Sequence, residues 1–300
     1  MILVNENDIS DRITASQGTR TFTSDFHLTS LQVSKERAVM RADLHDKLCN
    51  RSGAASLGML TTVVDIVTSS PALATCAPDW TATQDLTLHA SGWLTEGPVV
   101  VDANLIRIGK KTVHVRADVY DGRGITDLER LVSAIDDGEA GGLRAAARSL
   151  VTFARLPRSA AVNSEDYNPG DWIGTVREYT LAHIDDDIYT RLGMRILDAR
   201  RGVLELELTP FVANMIGTIQ GGAQALLAEH AAHTVRPDLV ATDFQAHYLS
   251  QVKRGPARSY VSVVREATDH AVLDVRLVDA GADEQVLALT TVTMQRPPGH

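Results

Sequence analysis

Apolar and polar residues alternate along this chain in short runs, separated by turn-forming residues. Val203-Leu204-Glu205-Leu206-Glu207-Leu208 alternates with period two, as do Val113-His114-Val115-Arg116-Ala117-Asp118-Val119 and Ala271-Val272-Leu273-Asp274-Val275-Arg276-Leu277. Arg37 to Leu44 follows the same pattern. Period two predicts strands with one buried face. Two longer apolar stretches, roughly 57–75 and 221–234, predict helices. The order of strand, loop, helix and further strands occurs twice, an α+β layout with one long helix among antiparallel strands.

The two passages are copies. Asn50, Gly53 and Gly58 recur as Asn214, Gly217 and Gly222 at an offset of 164, which also sets Asp65 against Glu229. Pro78-Asp79 and Ala82-Thr83 recur as Pro237-Asp238 and Ala241-Thr242 at an offset of 159. Asp85, His89, Gly97-Pro98, Arg107 and Asp121 recur as Asp243, His247, Gly255-Pro256, Arg265 and Asp279 at an offset of 158. Val151-Thr152-Phe153 matches Val292-Thr293-Met294 at 141. The last change of offset predicts a 17-residue insertion in the first copy near 126–142, an acidic, glycine-rich surface excursion. The predicted division is an N-terminal unit 1–156, a linker 157–175 containing Pro157, Asn163, Ser164, Asn168, Pro169 and Gly170, and a C-terminal unit 176–300.

Composition narrows the function classes. A net charge of −9 argues against a nucleic-acid partner, which favours a basic surface. Cys49 and Cys76 lack metal-ligand spacing, and two cysteines make no disulfide framework, so a reducing cytoplasm is the expected compartment. The first residues lack a signal-peptide pattern, and no apolar run stands out as a membrane span. His230 and His233 share a helix face without an evident third ligand, so no metal is expected. His89 and His247 are expected to be structural. Gly-x-Ser-x-Gly and Walker-type motifs are absent from the sequence.

The run Asn214-Met215-Ile216-Gly217-Thr218-Ile219-Gln220-Gly221-Gly222, followed by Glu229, resembles the motif of PaaI-like acyl-CoA thioesterases of the hotdog superfamily. That family has His-Gly-Gly where this chain has Gln220-Gly221-Gly222. The first copy departs further, with Ser56-Leu57-Gly58, but keeps Asn50, Gly53 and Asp65. The resemblance implies a double hotdog: two curved antiparallel sheets, each wrapped around a central helix and joined as a pseudo-dimer with active sites between them. It also implies an acyl-CoA substrate, no cofactor beyond the CoA of that substrate, no membrane partner, and assembly into a homo-oligomer.

The chemistry such a site needs is charge stabilisation at a thioester carbonyl, together with a base for water. Gly221-Gly222 at a helix start offers unpaired amides and room for close approach. Glu229 lies eight residues beyond Gly221, about 12 Å along a helix, too far to meet a carbonyl held at its own helix start. Asp65 is therefore expected to face Asn214, Gln220, Gly221 and Gly222, and Glu229 to face Asn50, Ser56, Leu57 and Gly58. The Asp65 side is the better furnished, since Leu57 stands where glycine is expected. Thr83 and Thr242 occupy the position of the family's water-orienting hydroxyl.

Each residue has a plainer reading too. Asp65 and Glu229 could make structural hydrogen bonds, and Asn50 and Asn214 could be turn formers. Two other functions stay open. One is a non-catalytic acyl-CoA-binding or sensing protein with decayed sites. The other is a hotdog enoyl-CoA hydratase, whose Asp-x-Asn-Pro-x-His signature is met only by Asp166-Tyr167-Asn168-Pro169-Gly170-Asp171, without the histidine. A TesB-like double hotdog, with its acid placed elsewhere, is a further branch.

Overall fold

The computed structural model describes residues 21–157, 168–178, 185–214 and 216–297; Asn163, Ser164, Asp166, Tyr167 and Met215 lie outside them. The strands are β1 (Thr29–Gln32), β2 (Arg37–Ala42), β3 (Trp80–Ala90), β4 (Val99–Ile108), β5 (Thr112–Asp121), β6 (Arg144–Leu156), β7 (Val176–Glu178), β8 (Arg195–Asp198), β9 (Val203–Leu206), β10 (Val240–Tyr248), β11 (Ala257–Glu266), β12 (His270–Asp279) and β13 (Gln285–Gln295). The α-helices are α1 (Leu57–Cys76), α2 (Leu128–Asp136), the short α3 (Ile188–Arg191) and α4 (Gly221–Val235).

Among the described residues, all the strands join one 13-stranded sheet ordered β7-β1-β2-β4-β5-β6-β3-β10-β13-β12-β11-β9-β8. Each copy contributes the same internal order, β2-β4-β5-β6-β3 and β9-β11-β12-β13-β10. The copies meet where β3 pairs antiparallel with β10, so an edge that would otherwise expose unpaired amides is used up. On this seam His89 stands opposite Asp243 and His247 opposite Asp85. His89 Nδ1 lies 2.8 Å from Asp243 Oδ1, and His247 Nδ1 lies 2.6 Å from Asp85 Oδ1. The repeated His and Asp residues thus pair reciprocally across the copies.

Alternation assigns the two faces of the sheet. Ala38 and Met40 of β2 enter the main core with α1 and α4, while Val39 points the other way. On that outer face Val39 and Val100 pack against Leu128 and Leu131 of α2. The segment near 126–142 is therefore more than a surface excursion. Leu128, Leu131, Val132 and Ile135 recur at helical spacing, and that stripe buries against the sheet. Asp127 caps α2 by accepting from the Arg130 amide at 2.8 Å.

Two expectations are corrected. Val176–Glu178, assigned to the C-terminal unit, pairs with β1 and extends the edge of the first copy. By length and a hydropathy of 1.4, α1 could cross a bilayer, contrary to the expectation that no such run exists. Its apolar character is that of a core helix, since 72% of the span is buried inside the protein. Cys49 and Cys76 are both free thiols.

The glycines of the repeat set how closely the helices cross. A Cβ on Gly58 would lie 2.8 Å from Leu226 Cδ2 and from Glu229 Oε2, and one on Gly222 would lie 2.5 Å from Thr62 Oγ1. Asp121 and Asp279 hold matching loops. Asp121 accepts from the amides of Thr95, Glu96 and Gly97, and Asp279 from those of Lys253, Arg254 and Gly255.

Candidate active site

The turns before α1 and α4 share their backbone hydrogen bonds. The Asn50 amide donates to Ala54 O and the Gly53 amide to Asn50 O; the Asn214 amide donates to Thr218 O and the Gly217 amide to Asn214 O. Gly53 and Gly217 take φ of 77° and 79°, a left-handed conformation that favours glycine. Asn50 Oδ1 accepts from Ser52, and Asn214 Oδ1 accepts from the amides of Ile216 and Thr218. The side-chain oxygens of both asparagines are thus engaged in shaping turns. Gln220 is likewise tied to its loop, donating through Nε2 to Ala213 O at 3.1 Å. Ser56 caps α1 by accepting from the Met59 amide.

The carboxylates of the two copies behave differently. Asp65 sits mid-way along α1 and stays partly exposed. Its Oδ1 accepts from Thr83 Oγ1 at 2.6 Å. Its Oδ2 faces the other copy: a Cβ added at Gly221 would lie 3.0 Å from it. Among the described residues, no protein group accepts from the Gly221 and Gly222 amides at the start of α4. Burial pushes the Asp65 carboxyl above its ordinary value, against the opposing effect of the Thr83 hydrogen bond.

Glu229 is fully buried. Its Oε1 accepts from the Leu57 amide and its Oε2 from the Gly58 amide, both at 2.8 Å, and the Tyr189 hydroxyl donates to Oε2 at 3.2 Å. Burial raises its pKa, and the two backbone bonds and Tyr189 oppose that rise. The amides expected to receive a carbonyl oxygen are thus already filled by the carboxylate expected to act as base. One methylene separates the two cases. Glu229 reaches the opposing helix start, whereas the shorter Asp65 is held back by Thr83.

The other expected residues divide accordingly. Gly222 and Gly58 face the opposite helix at the crossing. The Thr242 hydroxyl makes only long contacts, 3.4 Å to Asp243 Oδ2 and to Thr293 O, and has no bond to Glu229, so it does not repeat the role of Thr83. A cavity of about 160 Å³ opens beside Leu57, lined in part by Asn50, Ala90, Trp93 and Thr242, but Glu229 is sealed from solvent.

Two tyrosines went unseen in the sequence. Tyr189 stacks on His230 with ring centroids 4.2 Å apart and covers Glu229. Tyr248 donates to Gly221 O at 3.1 Å, and its ring lies 3.4 Å from the position of a Gly221 Cβ. Tyr248 falls at the end of β10, where the repeat offset sets it against Ala90; a scan for matched residues passes over it. Burial holds His230 and His233 down at about 4, so both are neutral imidazoles near neutrality. Among the described residues, no group of three His, Cys, Asp or Glu side chains converges as a metal site would require.

Residues 210–295, from the Asn214 loop through β13, match the family model described as the acyl-CoA thioesterase N-terminal domain. No curated protein sequence matches the chain. The architecture recurs in the 12:0-ACP thioesterase from Umbellularia californica, with TM-score 0.56 and 10% identity over 87% of this chain and 94% of that one. A TesB protein of Mycobacterium avium subsp. paratuberculosis gives TM-score 0.55 and 10% identity over 90% and 96%. A conserved protein with a hot dog fold from Alicyclobacillus acidocaldarius gives 0.50 and 9% over 88% and 94%. At such identities the structural likeness establishes the fold, which is the hotdog. The match to the thioesterase family model lies within the second copy.

Proposed function

We propose that this protein hydrolyses an acyl-CoA thioester to the free acid and CoA, at one site per chain formed between two hotdog repeats arranged as a pseudo-dimer. The observation that carries the reading is the pairing of a partly exposed carboxylate, Asp65, with a helix start in the other repeat whose first amides have no protein partner among the described residues. Helix N-termini carry partial positive charge, which favours a developing oxyanion.

In this reading the thioester carbonyl oxygen accepts from the Gly221 and Gly222 amides. Asp65, oriented by Thr83, removes a proton from water as the water oxygen bonds to the carbonyl carbon. Collapse of the tetrahedral intermediate breaks the C–S bond, and the departing thiolate takes the proton held by Asp65, giving the CoA thiol and restoring the carboxylate. Asn214 and Gln220 shape the loop that presents the two amides. The match to an acyl-CoA thioesterase family model supports CoA over other thiols as the leaving group. The Asp65–Thr83 pair fits the PaaI-like arrangement that the sequence resembles.

The test is thiol release across a panel of acyl-CoA and acyl-carrier-protein thioesters, with Asp65→Asn as the control. Loss of a general base costs about a hundredfold to ten-thousandfold. The expected result is that Asp65→Asn loses turnover to that extent while still binding a non-hydrolysable acyl-CoA thioether. Binding without turnover by the native chain would support the sensing alternative instead.

A further inference from the structure

The peptide unit joining Gly221 to Gly222 carries the Gly222 N–H at one end and the Gly221 carbonyl at the other. Two consecutive glycines leave such a unit poorly restrained, because neither has a side chain to limit its backbone. Here the Gly221 carbonyl accepts from the Tyr248 hydroxyl at 3.1 Å, and the Tyr248 ring packs against Gly221. A carbonyl oxygen has two lone pairs, so it can accept this bond in addition to one from within the helix. Accepting at the oxygen polarises the amide and strengthens its N–H as a donor, by roughly 10–30% per bond in a hydrogen-bonded chain. Burial, and then the charge of nearby Asp65, push the Tyr248 phenol well above its usual range, which keeps it a protonated donor.

The other copy offers an internal comparison. Ala90 occupies the position matching Tyr248 and lines the cavity beside Leu57. There the Leu57–Gly58 peptide has its N–H taken by Glu229. One helix start is therefore fixed through its carbonyl with its N–H left open, while the other is fixed through its N–H.

From this contrast we infer that Tyr248 is a positioning residue for hydrolysis, holding the Gly221–Gly222 peptide so that the Gly222 N–H points at the thioester oxygen. The inference rests on the reading of Asp65 and the α4 start as the hydrolytic site. It assigns Tyr248 no contact with the reacting atoms. It also accounts for a half-buried tyrosine at the end of β10 where its counterpart is alanine.

The test variant is Tyr248→Phe, which keeps the ring and removes the hydroxyl. Removing an oxyanion donor outright costs about a hundredfold to a thousandfold; weakening one of two donors should cost roughly tenfold in kcat. Affinity for an acyl-CoA thioether, a ground-state mimic, should stay within about twofold to threefold, a split that a general loss of structure would not give. In the free protein with labelled glycine carbonyls, the Gly221 carbonyl ¹³C resonance should move on losing its donor. Asp65→Asn is measured alongside. If Asp65→Asn keeps turnover, or the native chain has none, the site reading falls and the inference with it. If Asp65→Asn abolishes turnover while Tyr248→Phe matches the native kcat or leaves the Gly221 carbonyl resonance in place, the positioning role alone is overturned.

Discussion

Glu229, on the central helix of the second repeat, closes on the amide of Gly58 at the start of the first repeat's helix, 2.8 Å away, and takes the Leu57 amide with its other oxygen. This is a helix cap supplied across the interface between repeats. It ties α1 to α4 where Gly58 already brings the two helices into contact.

Replacing Glu229 with Gln should therefore cost stability rather than activity. A glutamine amide has one acceptor oxygen, so one of the two buried N–H groups would face an NH₂. Hydrogen bonds to charged groups contribute about 1.5–3 kcal/mol, and losing one while leaving a buried donor unpaired should cost on the order of 3 kcal/mol. Denaturant unfolding of Glu229→Gln should show that loss, while kcat/KM of the folded fraction stays within about threefold of the native value. Turnover abolished in a fully folded variant would place hydrolysis at the Glu229 end instead.

Asp65 gives activity and stability opposite responses to pH. Burial raises the Asp65 pKa above the ordinary aspartate value, so the base form, and with it kcat/KM, should grow as pH rises through a limb above the usual aspartate range. For stability the sign reverses. A carboxyl whose folded pKa is raised binds its proton more tightly when folded. Its contribution is therefore full below the unfolded value and is lost as pH climbs through the folded one. Asp121 and Asp279 act the other way: burial pushes each up, but their hydrogen bonds outweigh it and hold both pKa values below normal. The Asp65 contribution is isolated by comparing melting of Asp65→Asn with the native chain. The variant should gain on the native chain as pH rises from about 4 to 7. A variant that instead loses ground to the native chain as pH rises would show that the Asp65 pKa is depressed.

Much of this arrangement was legible because the repeat compares the sequence with itself. The Asn-x-x-Gly match at one offset marks loops that the structure builds with the same hydrogen bonds, and Gly53 and Gly217 are fixed by the left-handed turn they share. The helix-rise distance set each acid against the opposite helix start, where the structure finds Asp65 and Glu229. What the repeat could not show is where the copies diverge. Tyr248 has an alanine as its partner, and Tyr189 lies upstream of the matched residues, which begin at Asn214, so neither gives a matched signal. Matching Asp65 to Glu229 as two acids also concealed a difference in reach, and that difference decides which helix start is open. The outer-face helix α2 was hidden because the segment was defined by its absence from the second copy, although its leucine and isoleucine spacing is helical.

The last expected outcome turns that difference in reach into a test. Asp65→Glu keeps a carboxylate on the same helix face and adds one methylene, making the site copy its counterpart. The longer side chain should leave Thr83 and accept from the Gly221 and Gly222 amides, as Glu229 does from those of Leu57 and Gly58. The new bonds to charged oxygen would satisfy two free donors at the α4 start, where a negative charge is also favoured by the helix dipole. Stability should hold or rise by up to about 1–2 kcal/mol. Turnover should fall at least a hundredfold, because base and oxyanion donors would neutralise each other. Steady-state kinetics beside thermal melting would show both effects in one variant. An Asp65→Glu protein that hydrolyses acyl-CoA at the native rate would show that the free amides of α4 take no part in the reaction.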